Sequence, residues 1–484
     1  MAKSNSNQAM WVAMGTMFAY AFTLVSSMIL SRYFDKADYG TYRQVMYVYH
    51  TLLFIFTLGL PKAFSYFLPR MPMEQGRDLV RKITMMFLCM GLVFSLILYA
   101  GAEPIASVIK NESLVPLLRM FSPVPLLLLP TLGVESIYAS YRKTKFTAFY
   151  HVSRSFFMLA CVCVPVIFYK TDVGVAIQGF VISSVCCFLL AIYMQERLFV
   201  GLENVACDIS YGDVFRYSLP LMTASLWGTL IKSTDQFFIS RYCGTEVFAE
   251  YSNGFIELPF IGMVVGACST VLFPLISRLD NEKADPREVI FPIWINVFKK
   301  TSMILYPLLC ICWVFADDVM TLMYGAKYAN CGIYFQICQI ANVFTVIAFG
   351  PILLATGQTK VYSRTLMYNF VLVVCLEFCI VMLCPSPVFI AIASTACHIL
   401  RCLFQMYYVA RYMRVRLIDL FPKIFMAKIL VPSLILLFCL QLIVNVDDII
   451  LRLIISLGVY GMLYLVWAKI AGIDYLRAMK QTVK

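Results

Sequence analysis

Charged residues are scarce in this chain of 484 residues: only 14% are Asp, Glu, Lys or Arg, whereas 61% are hydrophobic. A soluble domain has about 25% charged residues and roughly 45–50% apolar ones. A core bathed by water could not hide so much apolar surface. The composition therefore excludes an ordinary soluble protein and predicts a chain that uses lipid as part of its solvent.

Patterns for metal binding and catalysis are also missing. The chain has 18 cysteines but no CxxC motif, and it has only three histidines. Most of the cysteines lie in apolar runs, where a thiol behaves as a small hydrophobic side chain. No loop between the apolar runs is long enough for a soluble catalytic domain. We therefore expect no metal site, no cofactor, no nucleic-acid partner and no enzymatic activity.

What the chain has in abundance is long apolar runs. A window of about 19 residues predicts about fourteen transmembrane helices, so the fold class is an all-α polytopic membrane protein. Lys and Arg are concentrated in one set of loops, which includes Arg70, Arg142 and Arg411. Because positive loops stay in the cytoplasm, both termini are expected there. Arg43, assigned to an opposite loop, goes against this trend.

A short motif occurs twice between apolar runs. "SRYFDKADYGTY" begins at Ser31 and "SRYCGTEVFAEY" begins at Ser240, and Tyr42 and Tyr251 fall at the same offset. Six predicted spans separate the copies, so both start on the same side of the membrane, as in a parallel repeat. Each copy is expected to form the outer turn of a helix hairpin, which Gly40 lets tighten in the first copy.

The repeat predicts two parallel six-helix bundles plus two extra C-terminal helices, with a cavity around which the bundles rock. The expected boundaries are 1–195 for the N-terminal lobe, 196–216 for a cytoplasmic linker, 217–411 for the C-terminal lobe, and 412–484 for helices 13 and 14 with a cytoplasmic tail. Gly59-Leu60-Pro61 is expected to interrupt the second span.

Ionisable residues inside spans mark a cavity, a partner or a side chain that reaches the interface. Lys232 and Asp235 lie three apart on span 7 and would either neutralise each other or serve a cavity. Arg401 lies deep in span 12 with His398 one turn away, and it either faces the cavity or pairs with Glu377. Arg119 and Arg154 lie nearer span ends, where snorkelling is the alternative.

The acidic residues within the spans and the net charge of the protein indicate which ion and which substrate it would transport. Glu257, Asp235 and Glu377 are the candidates for a coupling proton or sodium ion. The formal net charge is +12, and the interior cations outnumber the interior acids that could cancel them. A cavity of that kind favours an anionic substrate.

The order of these motifs resembles a known family. "ILSRYFDKADYGTYRQV", followed by a second span ending in Pro69-Arg70, resembles the polysaccharide flippases of the multidrug/oligosaccharidyl-lipid/polysaccharide exporter superfamily. "YSLPLMTASLWGTLIKSTDQFFISRYCGTEVFAEYSNG" is similar to the seventh and eighth spans of that family, and "YGAKYANCGIYFQI" with "LLATGQTK" is similar to its tenth span. The likeness covers nearly the whole chain.

The resemblance implies a flippase for an oligosaccharide on an undecaprenyl-pyrophosphate carrier, of the O-antigen or capsule type, in the bacterial cytoplasmic membrane. It implies that Lys232 and Arg401 contact the pyrophosphate or acidic sugars, with His398, Arg119 and Arg154 as further cavity cations. Arg32 and Arg241 would close a periplasmic gate. The expected partners are the lipid-linked oligosaccharide, the bilayer, and a glycan polymerase or other assembly proteins.

Two alternatives stay open at this point. One is an ion-coupled small-molecule or drug antiporter of the same superfamily, and the other is a membrane enzyme acting on the same sugars. The peptidoglycan-precursor flippases of the superfamily carry a basic residue in the first span. This chain has none between Trp11 and Ser31, which argues against a peptidoglycan-precursor flippase.

Overall fold

The computed structural model describes residues 2–169, 171–203, 205–256, 258–346, 349–473 and 475, and every regular element among them is helical. The first eleven α-helices are α1 (Ala2–Tyr33), α2 (Lys36–Thr57), α3 (Leu60–Phe67), α4 (Met73–Ala100), α5 (Ala102–Ile109), α6 (Leu114–Phe121), α7 (Val124–Leu128), α8 (Gly133–Ser140), α9 (Thr144–Phe168), α10 (Val173–Arg197) and α11 (Tyr211–Tyr242). The others are α12 (Thr245–Gly254), α13 (Pro259–Asn281), α14 (Phe291–Val314), α15 (Ala316–Tyr324), α16 (Cys331–Thr345), α17 (Phe349–Ala355), α18 (Thr359–Leu383), α19 (Pro387–Met413), α20 (Lys423–Ile443) and α21 (Ile449–Ile470).

The chain divides into two compact units, Met1–Ala249 and Glu250–Lys484. The core of the first unit is built around fully buried side chains such as Phe64 and Phe87. The core of the second is built around Trp294 and Tyr306. The domain boundaries expected at residues 195, 216 and 411 describe internal similarity and not contacts, so they stay predictions.

The membrane-spanning character follows from length and apolarity. Twelve of the described helical segments are long and apolar enough to cross a bilayer, and the bent pair of α2 and α3 would add a thirteenth. The remaining expected span corresponds to α11, a helix of 32 residues that is not among them and that carries Lys232, Asp235 and Arg241. The all-α polytopic fold is confirmed, whereas the count of fourteen is not.

Carboxylate caps fix where several helices begin. Asp35 accepts a hydrogen bond from the backbone N–H of Asp38 at 2.7 Å and starts α2. Asp172 does the same for Gly174 at 2.7 Å and starts α10. A carboxylate here satisfies an N–H that has no partner within the helix and meets the positive end of the helix dipole. Both caps directly follow a short connection, so they set the register of the spans that come next.

The interruption expected in span 2 is confirmed. Leu58 and Gly59 both have positive φ, 48° and 69°, and the axes of α2 and α3 differ by 41°. Glycine adopts this conformation without the steric cost of a Cβ. A Cβ at Gly59 would also lie 2.8 Å from the carbonyl oxygen of Ser218 on α11. The break therefore lets α11 approach the backbone of the second span.

The two copies of the repeated motif fold alike. In the first, α1 ends at Tyr33 and α2 begins at Lys36; in the second, α11 ends at Tyr242 and α12 begins at Thr245. Each copy is thus a helix, a two-residue connection and a second helix, in the same register. The serines that open the copies, Ser31 and Ser240, are both buried. The predicted turn between two helices is present in each copy, whereas its place on the outer side of the membrane stays a prediction.

Side chains of α4 hold the connection between α10 and α11 by hydrogen bonds. The carboxylate of Asp78 accepts a hydrogen bond from the backbone N–H of Cys207 at 2.9 Å. Lys82 donates to the carbonyl oxygens of Cys207 at 2.9 Å and of Ile209 at 3.3 Å, and it forms an ion pair with Asp78. These bonds give this connection defined backbone partners, so its last residues lead directly into α11.

Candidate functional site: two groups of cations

The sequence-predicted site residues fall in both units. Arg32, Arg119, Arg154, Lys232, Asp235 and Arg241 belong to the first unit, and Glu377, His398 and Arg401 belong to the second. Glu257 lies outside the described residues. The two groups below are therefore each described within their own unit.

The first group of cations lies on α2 and α9. Arg43 and His50 lie seven residues apart on α2, which places them two turns apart on one side of the helix. Arg154 of α9 is half-buried. The charges of Arg43 and Arg154 both act on His50. Arg154 also acts on the ring of Tyr49 in the same helix as His50. We call Arg43, His50 and Arg154 the α2–α9 cluster.

The exposure of the α2–α9 cluster fits a binding site better than a packed core. His50 is exposed, and both arginines keep part of their surface accessible. Arg154 makes no hydrogen bond or ion pair with any residue that the structure describes. A half-buried guanidinium with five donors is well suited to planar or tetrahedral oxyanions. The cluster can therefore receive an anionic group.

The sequence analysis identified only one of these three residues. It placed Arg43 just before the second span, in the outer loop, but α2 already begins at Lys36. His50 was not considered. The seven-residue spacing of Arg43 and His50 was the signal that could have found them, since i and i+7 share a helix face.

The second group of cations is a hydrogen-bonded chain across α19 and α16. Arg401 approaches Nδ1 of His398 with its Nη2 at 3.0 Å, and Nε2 of His398 lies 3.1 Å from Oγ1 of Thr345. Thr345 in turn donates to the carbonyl oxygen of Ala341 at 3.2 Å. The structure thus brings His398 and Arg401 together as predicted from their spacing, and it adds Thr345. We call His398, Arg401 and Thr345 the α16–α19 chain.

The other predicted residues have distinct surroundings. Arg119 is exposed and forms an ion pair with Glu103 at 2.7 Å. Lys232 is exposed, whereas Asp235, three residues later on α11, is 4% exposed. Glu377 is fully buried on α18. Their roles as substrate or coupling-ion ligands stay predictions.

The predicted gate residues lie at the repeated turns. Arg32 is exposed at the end of α1. Arg241, at the end of α11, donates a hydrogen bond to the carbonyl oxygen of Val108 at the end of α5, and its guanidinium lies 5.5 Å from the ring centre of Tyr242. Arg241 therefore ties α11 to a neighbouring helix of the same unit, whereas its role in a gate stays a prediction.

A buried polar network joins α11 to α2 beside Arg241. Gln44 is fully buried and donates to Oγ of Ser240 at 2.8 Å. Its Oε1 accepts a hydrogen bond from Asn111 at 2.6 Å. Farther along the same helices, Tyr47 donates to the carbonyl oxygen of Ser233 at 3.1 Å. Because a buried amide without partners would be costly, this network specifies how the two helices pair.

Gly40 is part of this contact and not of a tight turn. It lies inside α2 without a positive φ, and a Cβ at this position would lie 2.2 Å from the carbonyl oxygen of Thr245. The expectation that Gly40 tightens the first turn is therefore wrong. Its missing side chain instead lets α2 meet the backbone at the start of α12, so the two copies of the repeated motif contact each other.

A family of known proteins matches this chain. Its description is polysaccharide biosynthesis protein, and the match covers residues 29–333, which is more than half of the chain. The chain belongs to this family. No curated protein matches it at a significant level in a sequence search.

The fold is shared with transporters of known structure. A lipid II flippase, MurJ, in an inward closed conformation has a TM-score of 0.74 at 16% sequence identity, and the match covers 95% of this chain and 98% of that one. An inward-facing multidrug resistance transporter of the MATE family gives 0.66 at 12% identity, covering 84% and 99%. A transporter of the MOP superfamily from Pyrococcus furiosus gives 0.59 at 13% identity, covering 85% and 96%.

Together these matches show the class of the protein. It is a multi-pass membrane protein with the fold of the MurJ and MATE transporters, within a polysaccharide biosynthesis family. Such relatives are flippases and transporters, not enzymes. At these identities the structural likeness shows the fold alone.

Proposed function

We propose that this protein is a flippase that moves a lipid-linked oligosaccharide, carried on undecaprenyl pyrophosphate, from the inner to the outer leaflet of the bacterial cytoplasmic membrane by alternating access. The observation that carries the proposal is the α2–α9 cluster. Arg43 and Arg154 are near enough to His50 for their charges to bear on it, on helices of a polysaccharide biosynthesis protein. A diphosphate diester has two negative charges, which this cluster can neutralise without bulk water.

The finer parts of the proposal follow from the charge pattern. Both termini lie in the cytoplasm, because the loops on that side hold most of the Lys and Arg. The glycan belongs to a surface polysaccharide such as O-antigen or capsule, and a polymerase or other assembly protein receives it. A proton or sodium ion drives the cycle, and Asp235 and Glu377 are buried acids that serve as candidates for its site.

The alternative is an ion-coupled drug antiporter, which the fold of the MATE family supports. Organic cations, however, need acids and apolar surface at their binding site. In the α2–α9 cluster, both described charges that act on His50 are positive. This arrangement repels organic cations and favours an anion, so we rank the flippase first.

Reconstituted liposomes test the proposal. We expect the purified protein to move a fluorescent lipid-linked oligosaccharide between leaflets and not to transport an organic cation such as ethidium. The double variant Arg43→Ala/Arg154→Ala should abolish flipping. Arg278→Ala is the control, because Arg278 is exposed and pairs with Glu282 at 3.3 Å. Ethidium transport by the wild type, without lipid flipping, would favour the antiporter.

A cellular measurement adds an independent answer. A strain without the gene should accumulate the carrier-linked sugar in the cytoplasmic leaflet and lose the corresponding surface glycan. Normal surface glycan in such a strain, with no redundant flippase present, would contradict the proposal.

A further inference from the structure

The α16–α19 chain has a direction that the donors fix. Arginine has only donors, so Nδ1 of His398 must accept the hydrogen bond from Arg401. A neutral imidazole whose Nδ1 accepts has its proton on Nε2. That N–H then donates to Oγ1 of Thr345, and the hydroxyl of Thr345 donates to Ala341. All three bonds are consistent only with a neutral His398.

Adding one proton to His398 breaks this chain at one bond. The proton binds to Nδ1, which turns an acceptor into a donor. Two donors, each with a positive charge, then face each other 3.0 Å apart. The bond from His398 to Thr345 is unaffected, because Nε2 keeps its proton. Protonation therefore expels the guanidinium of Arg401 without moving the imidazole ring.

The elements that pack against α19 carry further titratable and charged groups. Helices α16, α17 and α18 pack against α19, as do the turns Pro286–Ile290 and Leu417–Leu420, which carry Arg287, Glu288 and Asp419. The buried titratable side chains of α16 are Cys331, Tyr334 and Cys338, and Cys338 contacts the carbonyl oxygen of Ile256 instead. Helix α17 has no titratable residue. On α18, Glu377 is the buried acid, while Lys360 and Arg364 lie in the first turns.

The accessibility of the α16–α19 chain suits a site that binds an anion only when His398 is protonated. His398, Arg401 and Thr345 each keep part of their surface accessible. A released Arg401 would add a guanidinium to the accessible surface, next to a second positive charge on His398. An approaching anion favours that state, because it neutralises both charges. Anion binding and proton uptake thus favour each other, as linked equilibria must.

We propose that protonation of His398 releases Arg401 to bind the diphosphate of the substrate, so that His398 makes substrate binding depend on pH. This inference rests on the proposed function and adds a residue through which a proton controls substrate binding. Neutral His398 holds Arg401 away from the substrate. Protonated His398 frees it, and loss of the proton returns Arg401 to His398 and weakens binding.

Binding of a short-chain prenyl diphosphate hexose to the detergent-solubilised full chain tests this mechanism. The charge of this diphosphate diester is constant between about pH 5.5 and 8, so any pH dependence comes from the protein. We expect the wild type to bind about tenfold more tightly for each pH unit below neutrality, until His398 is protonated. Binding should also take up one proton, measured by calorimetry in buffers that differ in ionisation enthalpy.

Substitutions that fix the state of the site make the test specific. His398→Gln can still accept from Arg401 and donate to Thr345, so it should bind weakly at every pH and take up no proton. His398→Lys has a permanent charge and should bind tightly at every pH. Arg401→Ala should bind weakly at every pH. His151→Gln is the matched control and should keep the wild-type profile, because His151 pairs with Glu135 at 3.3 Å in the other unit.

The outcomes separate the two proposals. If His398→Gln keeps the pH dependence and proton uptake of the wild type, His398 does not make binding depend on pH and the inference is overturned. If the wild type binds the probe with no pH dependence, the inference is also overturned while the flippase proposal stands. If the wild type does not bind the probe at any pH, the flippase proposal itself is contradicted. Should His398→Lys fail to fold, the proton uptake of His398→Gln decides.

Discussion

Arg154 in the first unit and Arg401 in the second are both half-buried arginines on membrane helices, but their surroundings differ. Arg154 makes no hydrogen bond or ion pair with a described residue, and its charge bears on the neighbouring His50 and Tyr49. Arg401 is held by Nδ1 of His398 at 3.0 Å. Arg154 is therefore always available to an anion, whereas Arg401 is available only when protonation of His398 releases it.

The two histidines differ in the same way. His50 lies near two arginines, Arg43 and Arg154. His398 contacts Arg401 through Nδ1 and Thr345 through Nε2, and these two hydrogen bonds are consistent with one tautomer of the neutral ring. A permanent cation site and a conditional one can divide the work of a transport cycle, because one attracts the substrate and the other ties binding to a second ion.

The largest expected effect is at the permanent site. Arg154→Ala should lower flipping in liposomes by about 10- to 100-fold, since a hydrogen bond to a charged group is worth about 1.5–3 kcal/mol. The loss should be the same at every pH. Arg154→Lys should recover part of the activity, because it keeps the charge but not the planar fork of donors. A loss at Arg154→Ala that changes with pH would erase the contrast between the two sites.

A smaller effect is expected when the conditional site loses its support. Thr345→Val removes the acceptor of the Nε2 proton at nearly constant volume. His398 can then adopt the other tautomer, whose Nδ1 cannot accept from Arg401. We expect the pH dependence of diphosphate binding to flatten, with a change in affinity of about fivefold, the equivalent of one hydrogen bond.

The control for Thr345→Val is Thr365→Val. Thr365 accepts a hydrogen bond from Gln405 at 3.2 Å, so it is also a threonine that pairs with α19 from a neighbouring helix. Its substitution should leave the pH dependence intact. Equal flattening in both variants would mean that general loosening of α19, and not the tautomer of His398, is responsible.

The smallest expected effect is at His50. His50→Gln replaces a neutral ring by a neutral amide and should reduce flipping by roughly two- to threefold, the equivalent of about half a kcal/mol. Its pH profile should stay that of the wild type. A profile that flattens in His50→Gln would transfer the pH dependence to the first unit and reverse the comparison.

The fold could be predicted largely because its signals are local. Runs of apolar residues predicted the membrane helices, and Gly59-Leu60-Pro61 predicted the interruption of the second span, which the structure shows with a positive φ at Gly59. The spacing of His398 and Arg401 predicted that they lie one turn apart. The repeated Ser-Arg-Tyr motif predicted two equivalent turns, and both copies show them.

The contacts that build the candidate site could not be predicted, because hydropathy and spacing do not describe contacts between distant segments. A helix can begin well before its apolar run, as α2 does at Lys36, and this places Arg43 and Gln44 inside the helix. The bond between Gln44 and Ser240 joins residues 196 positions apart. Thr345 gave no signal at all, because a single threonine in an apolar helix is common and only the partner helix gives it a role.

The contact between Gly40 and Thr245 has a consequence for how the chain can change over evolutionary time. Two copies of a duplicated segment usually drift apart independently, but here one copy lies against the other. A side chain at position 40 would meet the backbone carbonyl of residue 245, which no substitution at position 245 removes, so position 40 should stay glycine among relatives. The sequence similarity between the two copies should therefore persist longest at the residues where they touch, and be lost first at the positions that face lipid.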